Sequence, residues 1–228
     1  LGRYKEAIKD FSNAINLERY DERLVYERAG IYYLMKQYKN ALLDYKTFVE
    51  LSPNSKEGYL GMADCYCQMN QNNNAIEYYN KAIELDSNYE EAYLNRSVAY
   101  LRQDNLRKCV RDLDRVIAIN PKNGEAYYDR AVAYGEMDNH TKSIRDFSKA
   151  IKMGYKVGKS YCYRGKQYFL MGNFEKAKED YTKAIEQGCD GYLVYMGRGL
   201  TSLDLEQYDD AVKDFDEAIE TGENHCIS

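Results

Sequence analysis

The chain contains 228 residues, of which 30% are charged, and its formal net charge is −5. This acidic balance disfavours nucleic acid as a partner, because phosphates are bound by a basic face, and no apolar run approaches the roughly 18 residues needed for membrane insertion. Six cysteines and two histidines show no metal-ligand spacing, so we predict no metal, no cofactor and a reducing, cytoplasmic location.

A 34-residue repeat runs along the chain without an insertion or deletion. Residues 1–21 match the second half of a repeat, and residues 226–228 form a short tail. The full repeats lie between them, at residues 22–55, 56–89, 90–123, 124–157, 158–191 and 192–225. We therefore predict a single repeat array over residues 1–225, because stacked repeats need no common central core.

The first half of each repeat has helical spacing. Counted from the first residue of the repeat, position 8 is always small, and positions 4 and 11 are mostly tyrosine. In the repeat that begins at Glu90, these side chains are Tyr93, Ser97 and Tyr100. Steps of four and seven residues place them on one face of a helix.

The second half of each repeat follows the same rule. Position 20 is small, position 24 is bulky and position 27 is mostly alanine, as in Ala177, Tyr181 and Ala184. Turn-forming residues such as Gly2 and Asp104–Asn105 separate the two halves. Each repeat is therefore predicted to be two antiparallel helices joined by a short turn.

A stop signal follows each second helix. Pro53 and Pro121 both fall at position 32. In the last three repeats position 31 is glycine, which suits a left-handed helix cap, at Gly154, Gly188 and Gly222. The final second helix is predicted over Asp209–Thr221 without a capping helix after it. We therefore expect either an excerpt of a longer protein or self-association through the uncapped ends.

This spacing resembles the tetratricopeptide repeat family, whose signature has an aromatic residue at position 4, small residues at 8, 20 and 27, and proline at 32. The resemblance covers residues 1–225, with tyrosine where the family has tryptophan and mostly arginine at position 7, where it often has leucine. It implies an all-α, right-handed solenoid superhelix of about 6.5 repeats and about 13 helices, whose first helices line a concave groove.

Arginine at position 7 and aspartate at position 23 vary together. Repeat 56–89 has Met62 and Tyr78 at these positions, whereas other full repeats keep both charges, as in Arg96 and Asp112. We predict an ion pair that joins the two helices of one repeat. If the pair is partly buried, removing one partner should cost about 3 kcal/mol or more.

The resemblance also implies that positions 2, 5, 6, 9, 12 and 13 of the first helices face the groove. The central candidates are mostly acidic, with apolar side chains between them. They are Glu57, Asp64, Glu91, Leu94, Asn95, Val98, Arg102, Glu125, Tyr128, Asp129, Val132, Glu136, Tyr163 and Lys166. In one interpretation the acids keep the face hydrated and some apolar members belong to the core. In the other, the groove binds a basic, partly apolar peptide.

No catalytic arrangement is recognisable, because the two histidines lie far apart and no glycine-rich phosphate loop occurs. We therefore predict no enzymatic activity in these residues. The predicted function is a protein–protein interaction scaffold that binds a peptide segment or helix in its groove. Two alternatives stay open: the recognition arm of a transferase, kinase or protease whose catalytic domain lies outside this chain, and a peptide-sensing regulator whose pitch changes on binding.

Overall fold

Helices follow one another along the chain. The structure is a computed structural model that describes residues 2–17 and 21–226, which form thirteen helices. The described residues up to Ile119 form one compact unit, and those from Asn120 form a second. Leu1, which belongs to a predicted turn, and residues 227–228 of the predicted tail lie outside the described residues.

The N-terminal unit contains the helix of the half repeat and three helix pairs. Its helices are α1 (Gly2–Leu17), α2 (Glu22–Leu34), α3 (Tyr38–Leu51), α4 (Lys56–Gln68), α5 (Asn72–Leu85), α6 (Glu90–Arg102) and α7 (Leu106–Ile119). Each helix packs against the next one in sequence, and the first helices of successive repeats also touch, α2 with α4 and α4 with α6. This nearest-neighbour packing is typical of stacked helical repeats.

The C-terminal unit contains three further pairs. Its helices are α8 (Gly124–Glu136), α9 (His140–Lys152), α10 (Val157–Leu170), α11 (Phe174–Glu186), α12 (Tyr192–Asp204) and α13 (Tyr208–Cys226). Consecutive helices pack together here too, as do α8 with α10 and α10 with α12. The predicted helix pair is thus confirmed in every full repeat, and no described helix is long and apolar enough to cross a membrane.

The turn inside each pair contains a residue with a left-handed backbone. Position 15 has a positive φ in every full repeat: Lys36, Asn70, Asp104, Asp138, Gly172 and Glu206. Glycine reaches this region without steric cost and asparagine and aspartate tolerate it, whereas lysine and glutamate are strained there. Between repeats, Gly154 and Gly188 have a φ of +74°, which confirms the predicted helix caps.

Gly222 does not form the third predicted cap. It lies inside α13, which runs to Cys226 and does not end at Thr221 as predicted. A Cβ at Gly222 would meet Tyr192 Cδ2 at 3.5 Å, an ordinary contact distance. The position therefore does not require glycine, and the helix continues through it. At the other end Gly2, predicted to lie in a turn, begins α1.

Small residues let the two helices of a repeat approach closely. Ala63 and Ala75 are fully buried, and Tyr79 packs in the same cluster. In the C-terminal unit, buried Ala131 and Phe147 play the corresponding parts. Each large apolar side chain buried in this way contributes about 1.5–3 kcal/mol.

The predicted ion pair within a repeat is confirmed in five repeats. In each, Nε and Nη2 of the arginine donate to the two carboxylate oxygens of the aspartate. We call these pairs the struts: Arg28–Asp44, Arg96–Asp112, Arg130–Asp146, Arg164–Asp180 and Arg198–Asp214. Both bonds between Arg96 and Asp112 are 2.7 Å long, and Asp112 is 3% exposed.

Repeat 56–89 has apolar contacts where the strut would be. Met62 is buried in a cluster against which Tyr78 packs, and the Tyr78 ring stacks on Tyr66 with centroids 5.4 Å apart. Because neither residue is charged, no buried charge is left uncompensated, which explains why both strut residues are absent together.

Strut arginines within each unit also reach the preceding repeat, which was not predicted. Nη1 of Arg164 donates to Ser148 Oγ at 2.8 Å, and Nη1 of Arg96 donates to Asn80 Oδ1. Both acceptors stand at position 25. Repeat 22–55 precedes the repeat that contains Met62, and its position 25 is Lys46. The ammonium of Lys46 cannot accept a hydrogen bond. One arginine therefore joins the two helices of its own repeat and the last helix of the repeat before it.

Candidate functional site

Two predicted groove residues of the N-terminal unit, Asp64 and Asn95, are hydrogen-bonded to each other. Asp64 lies in α4 and Asn95 in the neighbouring first helix α6. Oδ1 of Asp64 accepts hydrogen bonds from Asn95 Nδ2 at 3.0 Å and from the Tyr79 hydroxyl at 2.6 Å. Tyr79 belongs to α5, so residues from two further helices orient this carboxylate.

The Asp64 carboxylate is half-buried and has no cation of its own. Burial raises its pKa to about 6, the hydrogen bonds from Tyr79 and Asn95 oppose this shift, and the charge of Glu91 adds to it. Among the described residues no lysine or arginine forms an ion pair with Asp64, and both hydrogen bonds end on Oδ1. Oδ2 can therefore accept a hydrogen bond from a donor outside the chain.

The other candidates of the N-terminal unit differ in exposure. Glu57 and Glu91 are exposed, and Leu94 and Val98 are half-buried. Arg102, the one cation among them, donates from Nη1 to the Cys67 carbonyl oxygen at 2.7 Å. Its charge is therefore held at the end of α4, and the acidic character of the surface remains.

A second half-buried carboxylate lies in the C-terminal unit. Burial raises the pKa of Asp129 to about 6, the charge of Glu125 adds to this shift, and the ammonium of Lys156 opposes it. No described hydrogen bond reaches Asp129, whereas Glu125 Oε1 accepts one from the Tyr155 hydroxyl at 2.8 Å. Nζ of Lys156 lies 4.9 Å from the ring centroids of Tyr128 and Tyr155. An ammonium group thus already contacts the aromatic rings beside these acids.

Tyr128 belongs to the core and is not exposed to a groove. It is 8% exposed, and its ring contacts those of Phe147 and Tyr163. For this residue the structure supports the interpretation that some apolar candidates serve packing. Among the remaining candidates of this unit, Val132 is half-buried, and Glu136, Tyr163 and Lys166 are exposed.

A cavity in the C-terminal unit was not predicted. It has a volume of about 790 Å³ and is lined by residues of α10, the turn after α11, the start of α12 and α13. Its wall includes Tyr163, a predicted groove residue, together with Cys162, Cys189 and Leu193. One sequence signal could have indicated it: position 2 is charged in the other full repeats and leucine at Leu193.

Models of known repeat families match most of the chain. A model described as tetratricopeptide repeat matches residues 22–55, 90–123, 124–153 and 192–224, which together exceed half of the chain. A second model with the same description matches residues 158–187, and one described as TPR repeat matches residues 63–104. Among curated proteins, none matches the chain in sequence.

Solved structures share the fold. The MamA protein is 26% identical, with 72% of this chain and 90% of that chain covered at a TM-score of 0.67. A tetratricopeptide repeat protein from Parabacteroides merdae ATCC 43184 is 21% identical, with coverages of 97% and 88% and a TM-score of 0.72. YrrB, described as a TPR protein with an unusual peptide-binding site, is 18% identical, with coverages of 80% and 94% and a TM-score of 0.69.

Proposed function

Because this chain belongs to the tetratricopeptide repeat family, we propose that it is a protein-interaction scaffold whose first helices bind a basic, partly apolar peptide segment. The observation that carries the proposal is the Asp64 carboxylate, which is half-buried, hydrogen-bonded on one oxygen and without a cation. YrrB illustrates that this fold can carry a peptide-binding site.

Asp112 and Asp64 both lie at least partly buried, but they have different partners. Asp112 meets the guanidinium of Arg96 in a strut, whereas Asp64 meets only neutral donors. Keeping a carboxylate half-buried without a counter-charge costs stability, and such a cost is typical of functional sites. A lysine or arginine side chain of a peptide that reaches Oδ2 would supply the missing charge.

The neighbouring side chains define the rest of the ligand. Leu94 and Val98 flank Asn95 on α6 and are half-buried, so each retains some apolar surface for contact. Glu57 and Glu91 are exposed and extend the negative field around Asp64, which favours approach of a cationic segment. The ligand class that fits is therefore a segment with an apolar residue close to a lysine or arginine.

The C-terminal unit offers a second acidic surface of different character. Asp129 and Glu125 provide the charge, but Lys156 already lies over Tyr128 and Tyr155. A peptide cation must share this surface with Lys156 or displace it. We therefore expect the N-terminal unit to contribute more of the affinity for a basic peptide.

The test is titration of the full chain with two labelled peptides, one alternating lysine and leucine and the other glutamate and leucine, followed by fluorescence anisotropy. We expect the lysine peptide alone to bind, and added salt to weaken it. Asp64→Asn should lower the affinity about tenfold and Asp129→Asn by less, because each removes one charge-assisted contact. Binding should also weaken below about pH 6, as Asp64 takes up a proton.

The matched controls are Glu84→Gln and Glu186→Gln. Both residues are exposed acids at position 29 of their repeats, in the second helix, and one lies in each unit. Each control removes the same charge as its counterpart variant without touching the first helices. Equal losses in the controls and in the two aspartate variants, or equal binding of the glutamate peptide, would contradict the proposal.

A further inference from the structure

Two cysteines lie side by side in the wall of the C-terminal cavity. Cys162 stands on α10, one turn after Gly158, so both occupy the same helix face. A Cβ placed on Gly158 would lie 3.0 Å from Cys189 Cβ, which puts the turn after α11 directly against this face. Cys162 and Cys189 both line the cavity and pack on the same buried cluster.

We propose that Cys162 and Cys189 form a dithiol that low-molecular-weight disulfides convert reversibly to an intramolecular disulfide in the cavity wall. Both are free thiols in this structure. A bridge between them would link α10 covalently to the turn between α11 and α12. This inference is independent of peptide binding on the first helices.

The environments of the two sulfurs assign their roles. Burial raises the pKa of Cys189 and the charge of Asp190 adds to this shift, whereas the charge of Lys159 and a hydrogen bond from the Cys162 thiol oppose it. Burial raises the pKa of Cys162 to about 12, the neighbouring Cys189 adds to the shift, and the charge of Lys166 opposes it. Because the thiolate is the nucleophile, Cys189 attacks first and Cys162 follows.

The exchange needs no reagent beyond the disulfide. The Cys189 thiolate attacks one sulfur of an oxidised glutathione molecule, which forms a mixed disulfide and releases one glutathione thiolate. Cys162 then loses its proton and attacks Sγ of Cys189, which forms the internal bond and releases the second glutathione. The two protein thiols are oxidised, one glutathione disulfide is reduced, and the two protons end on the two glutathione thiols.

The cysteines of the N-terminal unit provide an internal comparison. Cys65 and Cys67 are close in sequence, but residues two apart on a helix do not face each other. Both are buried, as is Cys109. These thiols should therefore stay reduced under conditions that oxidise the cavity pair.

The experiment uses the full chain with Cys226→Ser, which removes the third cysteine of the C-terminal unit. The protein is treated with oxidised glutathione and quenched with acid, and its peptides are mapped by mass spectrometry. We expect one dominant product, a Cys162–Cys189 cross-link that dithiothreitol reverses. It should form faster as pH rises from 7 to 9, because burial leaves Cys189 mostly protonated at neutral pH.

Two variants separate the steps. Cys162→Ser should stop the reaction at a stable glutathione adduct on Cys189, and Cys189→Ser should slow adduct formation about tenfold or more. Circular dichroism checks that both variants are folded. The proposal is overturned if folded protein gives only separate adducts on both cysteines, or if urea-unfolded protein forms the Cys162–Cys189 link as selectively as folded protein does.

Discussion

Asp112 and Asp64 are aspartates of the same unit with different partners. Burial raises the pKa of both carboxylates. At Asp112 the guanidinium of Arg96 opposes the shift and engages both oxygens. At Asp64, neutral donors from Tyr79 and Asn95 engage one oxygen. The Asp112 carboxylate therefore has its counter-charge within the scaffold, whereas the Asp64 carboxylate can still accept a cation.

This comparison shows how a repeat protein carries both architecture and specificity. Position 23 is aspartate in five full repeats because the strut needs it in each of them. Position 9 is aspartate in repeat 56–89 alone, at Asp64. A charge that recurs with the repeat serves the scaffold, and a charge that occurs once has no such explanation.

The largest effect should come from breaking a strut. Arg96→Met leaves Asp112 buried without its counter-charge, and the free energy of unfolding should fall by about 3 kcal/mol or more. Adding Asp112→Tyr copies the Met62 and Tyr78 arrangement and should recover most of the loss. Urea denaturation of the two single variants and the double variant measures this coupling.

A third substitution sharpens that test. Asn80 stands at position 25 of its repeat. Asn80→Lys introduces there the residue type found at Lys46, the position-25 residue that precedes the repeat without a strut. It should harm the wild type, because Arg96 loses its acceptor and gains a like charge. It should be tolerated in the double variant. Losses that simply add across the three substitutions would show that the strut is not a coupled unit.

Asp64→Asn should raise the free energy of unfolding, in contrast to Arg96→Met. The pKa of about 6 in the folded chain exceeds the ordinary value of 3.8, so folding favours the protonated form. The stability that this preference contributes is present below about pH 4 and is lost as pH rises through 6. The variant should therefore be about 1–2 kcal/mol more stable than wild type at pH 7 and nearly equal to it at pH 4.

Denaturation at several pH values measures this difference, with Glu84→Gln as the control for removing an exposed acidic charge. A variant that is less stable than wild type at neutral pH would mean that the Asp64 carboxylate is structural, as the strut aspartates are.

The smallest effect concerns the donors around Asp64. Asn95→Ala and Tyr79→Phe each remove one hydrogen bond to the carboxylate, so its pKa should rise further above 6, and more for Tyr79→Phe. Each loss should cost about 0.5–1.5 kcal/mol at pH 7. Titration of the Asp64 carboxyl carbon by NMR reports the pKa directly. An unchanged pKa in both variants would remove the role assigned to these donors.

Repeat periodicity predicted the features that recur. The helix pairs, the buried small residues and the struts all follow from positions that reappear every 34 residues. The absence of the strut in repeat 56–89 was also predictable, because positions 7 and 23 both change there, to Met62 and Tyr78. The predicted family was equally accessible, since it rests on the same positions.

Features that occur once could not be predicted in this way. The contact of Asp64 with Tyr79 and Asn95 combines positions 9, 24 and 6 from two repeats, and no other repeat carries the same set. The cavity depends on Cys189, which lies in a turn where helical periodicity gives no direction. The end of α13 depends on the backbone at Gly222, whose residue type allows either a cap or a continued helix.

The reach of strut arginines such as Arg96 and Arg164 into the preceding repeat has a consequence for unfolding. In a one-dimensional description, bonds within a repeat set its own stability, and bonds between repeats set how far an opening spreads. One guanidinium contributes to both terms, so a helix pair cannot open without loosening its neighbour. Between Lys46 and Met62 this link is absent, so the boundary between repeats 22–55 and 56–89 depends on the packing of α3 against α4 without it.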